Sequence, residues 1–451
     1  MALETLLKNR FGYRGFRPGQ RDICTQVTAG RDALVVMPTG SGKSLCYQLP
    51  ALARGGTTLV VSPLIALMKD QVDTLNGHGI RATYINSSIP PRERAQRIHE
   101  MQAGEWELVY VAPERFQPDF LNRLQQCDIR LLAIDEAHCL SSWGHDFRPD
   151  YLRLGQVRET LGSLPTVALT ATATPRVQND IVEHLRLEGA ERFILGFDRE
   201  NLTLEVHECR GTKAKARASA HAVQHKRAIV YAATRRNVER AAQALQSAGI
   251  HAGFYHAGME LEERNHVQDA FMSGDLPVVV ATNAFGMGVD KPDIRVVVHW
   301  DIPGTVEAYY QEIGRAGRDG QPARIVLLYG PGDRKTQEFF IQMSHPPVDL
   351  IHQVYQHINE LGENPVFRPR SEIAAGVDHK DANERSISSC LTLLEREGWL
   401  SRLPPGSGPG RSGGVLLTHP GRSLVFDESD LQTRRELEYS KLEHMVDYTR
   451  S

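Results

Sequence analysis

No apolar run in this 451-residue chain approaches the roughly 18 residues that a membrane span requires. The opening Met1-Ala-Leu-Glu-Thr-Leu-Leu-Lys-Asn-Arg10 lacks the long apolar core of a signal peptide. A cytoplasmic protein with no membrane partner is therefore expected. Cysteine is sparse: the six residues, at 24, 46, 127, 139, 209 and 390, form no Cys-x-x-Cys pair. That scatter speaks against a disulfide framework and against zinc ligands supplied by this chain alone. Charge of one sign is missing too, because 52 basic and 55 acidic side chains leave a net −3. Any nucleic-acid surface must then be a local patch. What is left, 41% hydrophobic and 24% charged residues, is an ordinary globular composition, long enough for two or three domains.

Against that plain background one stretch stands out, Met37-Pro-Thr39-Gly40-Ser41-Gly42-Lys43-Ser44. It follows the apolar run Ala33-Leu-Val-Val36 and precedes Leu45-Cys-Tyr-Gln-Leu-Pro-Ala-Leu, which reads as a helix. A glycine-rich turn between strand and helix gathers backbone N–H groups at a helix start, a shape that holds phosphate oxygens. Lys43 can reach outer phosphates as a point charge, and the Ser44 hydroxyl can ligate magnesium. The longest form of the pattern has glycine where Met37 stands. Upstream, Tyr13 offers a ring face, Arg17 a flat guanidinium, and Gln20 both a donor and an acceptor suited to an adenine edge.

From Arg31 to about Gly189, short apolar runs alternate with helical spacing. The expected strands are Ala33–Val36, Thr57–Val61, Ala82–Ile85, Leu108–Val111, Leu131–Ile134 and Thr166–Leu169, with helices such as Leu64–Leu75 and Pro91–Met101 between them. This rhythm predicts a mostly parallel sheet covered on both faces, with ligands beyond the carboxyl ends of its strands. Asp135-Glu136-Ala-His138 falls at such an end. Asp135 is suited to hold magnesium through water, Glu136 to orient and deprotonate an attacking water, and His138 to relay the nucleotide's state. In Ser141-Ser-Trp143-Gly-His145-Asp-Phe147-Arg148-Pro149, aromatic rings and an arginine crowd one loop. They either stack on bases and touch phosphates, or pack over the sheet. Thr170 and Thr172, in Leu169-Thr-Ala-Thr-Ala-Thr-Pro175, either link the nucleotide site to nucleic acid or cap a turn.

Past Gly196 the alternation restarts without a second phosphate loop. Strands are expected at Ala228–Ala232, Ala252–Tyr255, Val278–Ala281, Val296–His299 and Ile325–Leu328, and helices at Arg236–Gln246 and Glu260–Met272. Ala281-Thr-Asn-Ala-Phe-Gly-Met-Gly288-Val-Asp290 is a glycine turn ending in a carboxylate. Gln311-Glu-Ile-Gly314-Arg315-Ala-Gly317-Arg318 sets two arginines on a punctuated turn, from which they can neutralise charge building on a γ-phosphate. Beyond Pro347, three helical segments and a possible hairpin around 404–414 suggest a winged-helix module, followed by a charged helix from about Ser429. The expected architecture is α/β: two tandem parallel-sheet domains that resemble the RecA fold (1–196 and 197–345), a small winged-helix-like domain (346–420) and a helical tail (421–451).

In order and spacing, these stretches make residues 1–343 resemble the RecQ branch of superfamily 2 DNA helicases. Val61-Ser-Pro-Leu-Ile-Ala-Leu-Met-Lys-Asp-Gln71, Tyr110-Val-Ala-Pro-Glu-Arg115 and the loop from Ser142 to Pro149 add to the match. The resemblance implies a 3′→5′ DNA helicase driven by ATP and magnesium, acting on single-stranded and tailed or forked duplex DNA in repair or recombination. It implies that Tyr13, Arg17 and Gln20 read adenine, that Lys43, Ser44, Asp135 and Glu136 bind and hydrolyse MgATP, and that Arg315 and Arg318 are finger residues, beside Gln311. Gly288 and Asp290 join the nucleotide set, while Trp143, His145, Phe147 and Arg148 couple DNA to hydrolysis. Many RecQ proteins follow the motor with a four-cysteine zinc module whose ligands are not found here, and the chain's last residues resemble a lead-in to one. An RNA helicase and a DNA-binding ATPase that does not unwind are the alternatives. Protein partners are not legible.

Overall fold

The computed structural model describes residues 2–141, 143–144, 146–196, 198–283, 285, 291–403, 407–408, 413–425 and 428–451. The chain separates into two compact units, Met1–Ile302 with Glu307–Tyr329, and Pro303–Val306 with Gly330–Ser451.

The first unit holds two parallel sheets. In the first lobe, β1 (Ala33–Val36), β2 (Thr57–Val61), β3 (Ala82–Ile85), β4 (Leu108–Val111), β5 (Ile129–Ile134), β6 (Thr166–Thr170) and β7 (Glu191–Ile194) lie in the order β3-β4-β2-β5-β6-β1-β7. Every pairing is parallel. The near-continuous apolar runs follow from burial on both faces. In β1, Ala33 and Val35 enter one core with Ile23, Leu49 and Val60, while Leu34 and Val36 enter another with Leu59, Ile134 and Val177. Period-two alternation thus divides one strand between two cores. The turns expected to carry the chemistry follow β5, β6 and β1, which are neighbours, with Val36 in register with Thr170 and Ile134 with Ala168.

The second lobe repeats the plan. Its strands are β8 (Leu202–Glu208), β9 (Ala228–Tyr231), β10 (Ala252–Tyr255), β11 (Val278–Ala281), β12 (Val296–His299) and β13 (Ala323–Tyr329), in the order β10-β11-β9-β12-β13-β8. The turn Gly314–Gly320 joins the helix Val306–Ile313 to β13 and sits at the amino ends of β12 and β13, with the Gly317 N–H donating to Ile294 O.

Two strands, β7 and β8, lie outside the set expected from apolar runs. Both are edge strands, and most of their residues are exposed, including Ile194, Leu204 and Val206. A strand whose residues are mostly exposed needs no apolar run. β7 and β8 therefore leave a weaker mark in the sequence than the edge strands β3 and β10, whose residues are buried or half-buried.

The second unit contains the helices Pro331–Ser344, Val348–Glu360, Arg370–Gly376 and Glu384–Arg396. The antiparallel hairpin of β14 (Leu400–Leu403) and β15 (Gly414–Leu417) follows, and then the helix Glu428–Tyr448. Its core joins Leu350, Val354, Ile358, Ile387 and Leu394 to Leu400, Val415 and Leu417 of the hairpin. Asn383 caps its helix by accepting from the Arg385 and Ser386 amides at 3.0 and 3.2 Å, while the Ser386 hydroxyl accepts from the Asn383 N–H.

Candidate active site

Four successive carbonyls of the phosphate loop are bonded from outside it. Arg199 Nη1 donates to Thr39 O at 2.9 Å and Arg17 Nη1 to Gly40 O at 2.5 Å. Gln20 Nε2 donates to Ser41 O at 3.2 Å and to Gly42 O at 3.1 Å. In a trans peptide the C=O and the following N–H point opposite ways. Holding these oxygens therefore leaves the Gly40, Gly42 and Lys43 amides turned the other way. Among the described residues the Gly40, Gly42 and Lys43 amides donate to no protein acceptor, whereas the Ser41 N–H bonds to Pro38 O at 3.3 Å. Such a run of inward amides ahead of the helix Leu45–Arg54 is a nest for an anion. Gly40 and Gly42, at φ 76° and 86°, occupy backbone that a side chain resists. Lys43 Nζ folds onto Met37 O (3.0 Å) and Pro38 O (3.3 Å); burial lowers its pKa against the pull of Glu136 and Asp135.

Gln20 is fully engaged here, since its Oε1 also accepts from the Arg17 N–H at 2.8 Å. Its amide braces the loop in this conformation. Tyr13 is 54% exposed and stacks on Phe11, with ring centroids 6.4 Å apart.

Asp135 is fixed at the end of β5 by its N–H donating to Val61 O (2.9 Å) and by the Tyr151 hydroxyl donating to its carbonyl (3.0 Å). Burial, with Glu136 beside it, raises its pKa to about 7. Glu136 takes the left-handed φ of 48°, an uncommon conformation for a side-chain-bearing residue. Its Oε2 is buried without a hydrogen bond, although His138 Nδ1 lies 3.3 Å away. Burial lowers the His138 pKa to about 4, so the ring is neutral near pH 7. His138 Nδ1 lies 2.9 Å from Thr170 Oγ1, and Thr170 donates onward to Thr172 O at 3.0 Å. Glu136, His138, Thr170 and Thr172 thus make a contiguous polar path across the ends of β5 and β6. Magnesium bound with a nucleotide needs only one or two carboxylates from the protein. The Asp135 carboxylate, with its raised pKa, and the Ser44 hydroxyl at the start of the adjacent helix fit that donor set.

The second lobe closes the site. A cavity of about 550 Å³ is lined by Tyr13, Arg17, Gln20, Thr39, Gly40, Gly42, Lys43, Ser44, Asp135 and Glu136 from one lobe, and by Gln311, Arg315 and Arg318 from the other. Arg315 is 7% exposed and sits beside the Tyr231 hydroxyl, whose pKa burial pushes up to about 12 against the pull of that guanidinium. Gly314 lies directly on Thr39, where no side chain would fit. Arg318 packs over Gly40.

In the aromatic loop, Trp143 is half-buried against the core of the first lobe, with the Arg176 guanidinium 3.1 Å from its ring centroid. One ring face is therefore covered by a cation. Arg148 is tied to Asp146 Oδ2 (2.9 and 3.1 Å) and to Pro63 O (2.9 Å), joining this loop to the turn after β2. Phe147 is half-buried. His145, Gly288 and Asp290 lie outside the described residues.

The profile of the DEAD/DEAH box helicases matches residues 17–181, and that of the helicase conserved C-terminal domain matches residues 213–320. The ATP-dependent DNA helicase RecQ of Haemophilus influenzae is 44% identical over 390 residues, covering 86% of this chain and 63% of that protein. The probable ATP-dependent DNA helicase RecS of Bacillus subtilis is 42% identical over 376 residues, covering 82% of this chain and 75% of that one. This chain belongs to the RecQ family of helicases. It spans about 60% of the length of the RecQ proteins it matches. The Mycobacterium smegmatis helicase Lhr bound to ssDNA and AMP-PNP shares the fold, with a TM-score of 0.61 at 22% identity, over 93% of this chain and 60% of that one.

Two contributors to this RecQ-family site escape a reading by motif. Arg199 lies between β7 and β8 in Gly196-Phe-Asp-Arg-Glu-Asn201, a stretch that the motif reading passes over, and Tyr151 reaches Asp135 from the short helical turn Pro149–Arg153. The one available signal for Arg199 is its place between the two alternating halves of the sequence.

Proposed function

We propose that this chain is the motor of an ATP-dependent DNA helicase, stepping 3′→5′ along single-stranded DNA and opening tailed or forked duplexes during repair or recombination. The observation that carries the reading is the single cavity whose walls bring Lys43, Ser44, Asp135 and Glu136 together with Gln311, Arg315 and Arg318. The inward amides and Lys43 hold the phosphates, and Arg17 and Tyr13 flank the base. Glu136, with a buried oxygen free to accept, orients and deprotonates the attacking water. Arg315 and Arg318 neutralise charge on the γ-phosphate as it leaves. Magnesium, held by Ser44 and by Asp135 through water, would supply further charge neutralisation on the phosphate oxygens. Gly288 and Asp290 complete the nucleotide set from the second lobe.

His138, Thr170 and Thr172 provide a path from the hydrolytic carboxylate toward the DNA-facing turns. Trp143, His145, Phe147 and Arg148 are assigned to coupling, the Trp143 ring exchanging its arginine for a base when DNA arrives. Residues 1–196 and 197–345 are the two motor lobes, 346–420 a winged-helix-like module and 421–451 a helical tail, acting in the cytoplasm or on the nucleoid. The winged assignment rests on three helices followed by an antiparallel hairpin around one core.

Strand displacement from 3′- and 5′-tailed duplexes, with and without ATP, tests the reading. Displacement only of the 3′-tailed substrate and only with ATP is expected. ATP turnover stimulated by RNA but not by DNA of the same sequence would overturn the DNA assignment, and turnover without displacement would leave an ATPase that does not unwind.

A further inference from the structure

Of the groups that hold the phosphate-loop carbonyls outward, Arg199 alone comes from the segment joining the two lobes. Its Nη1 bonds Thr39 O of the first lobe, while its Nη2 donates to Ala316 O (3.0 Å) and Gly317 O (2.9 Å) of the arginine turn. Asn201, two residues on, fastens the same turn by donating to Gly317 O and Gln321 O, each at 2.9 Å. The guanidinium is half-buried, and no carboxylate lies within 4.0 Å of it among the described residues. Burial lowers its pKa, with Arg318 and Arg17 adding to the fall. A cation placed among neutral carbonyls and other cations gains its stabilisation from directed hydrogen bonds rather than from an ion pair.

We propose that Arg199 is a positioning residue that couples closure of the lobes to the geometry of the phosphate cradle. The inference rests on the ATPase reading above. With the lobes together, the fork of Arg199 holds the Thr39–Gly40 peptide with its N–H facing the phosphates and sets the arginine turn at a fixed distance from that peptide. When the lobes part, Arg199 and Asn201 travel with the arginine turn, Thr39 O loses its donor, and the peptide is free to rotate. The grip on phosphate then weakens in the same movement that withdraws Arg315 and Arg318. The planar fork matters because two nitrogens must serve carbonyls on opposite sides of the cleft, which one ammonium cannot do.

The test compares wild type, Arg199→Ala, Arg199→Lys and Asn201→Ala for DNA-stimulated kcat, KM for ATP and thermal midpoint. Absence of turnover in wild type on any nucleic acid fails the parent reading and is scored first. Given turnover, both Arg199 variants are expected to lose about tenfold or more in kcat and to raise KM for ATP, because Thr39 O has lost its donor, with an unchanged midpoint. Lysine is expected to rescue no more than twofold over alanine, and Asn201→Ala to fall between these variants and wild type. A kcat within twofold of wild type in either Arg199 variant, or full rescue by lysine, overturns the proposal. Should the alanine variant not fold, Arg199→Lys decides alone on the same limits.

Discussion

Each lobe places a lysine beside an acidic residue near the carboxyl end of its sheet. In the second lobe, Lys215 Nζ donates to Trp300 O at 2.5 Å and lies 3.4 Å from Asp301 Oδ1. Asp301 also accepts from the Ala233 N–H (2.9 Å) and from Asn237 Nδ2 (2.8 Å). Both charges are nearly inaccessible, at 5% and 6% exposure. In the first lobe, Lys43 rests on carbonyls of its own loop, Asp135 has a raised pKa, and a Glu136 oxygen has no partner. One architecture thus carries an ion pair that fastens the helix Thr212–Val223 to the sheet and a set in which Lys43 meets only carbonyls, Asp135 accepts from the Glu136 N–H, and one Glu136 oxygen is left without a partner. Satisfaction separates structural from chemical use more clearly than residue type does.

Exchanging the fates of the two lysines is the strongest way to break that contrast. Lys43→Ala should lower ATP turnover on the order of a hundredfold or more, through lost electrostatic stabilisation, with the thermal midpoint within a degree or two. Lys215→Ala should leave Asp301 buried with fewer partners and destabilise the lobe by roughly 3–5 kcal/mol, seen as a fall of about 10 °C in its melting. Turnover and melting measured on the same preparations decide it. A normal kcat for the Lys43 variant, or a Lys215 variant that melts like wild type, removes the distinction.

Trp143 sharpens the comparison because its ring already has a partner. By the satisfaction rule it would be structural, yet stacking with Arg176 is exchangeable in a way that a buried ion pair is not. Trp143→Ala should bind ATP normally and lose about tenfold of the stimulation by single-stranded DNA, the scale of one stacked base. Stimulation equal to wild type would return the loop to a packing role.

The parts of this molecule legible in the sequence are those where chemistry or burial imposes a pattern. Four-residue apolar runs such as Ala33–Val36, Leu108–Val111 and Val278–Ala281 are strands over just those spans, because both faces of a parallel sheet are buried. The phosphate loop and Asp135-Glu136 were legible because glycine at positive φ and paired carboxylates have few other reasons to occur there. The edges β7 and β8 were not, since exposure relaxes composition. Arg199 was invisible for a related reason: it works by donating to carbonyls, which every residue possesses, so no partner motif accompanies it. Nor could sequence show that Arg17 and Gln20 spend their donors on the loop itself.

The smallest expected effect lies within the first lobe and concerns Asp135 alone. Its carboxyl titrates near 7 in the folded chain against an ordinary value near 4, so between those values the unfolded chain has released a proton that the folded one retains. Stability from this group is full below about pH 4 and is lost as pH rises through about 7. His138, held neutral with a pKa near 4, acts oppositely over much of the same range, so the wild-type profile alone does not isolate Asp135. Asp135→Asn removes one titration and leaves the other. Without nucleotide or magnesium, the variant's gain over wild type should grow steadily from near zero at pH 4 as pH rises toward 7, and then level off. A difference that stays flat with pH, or reverses sign, would mean that Asp135 is solvated in the nucleotide-free protein rather than desolvated beside Glu136.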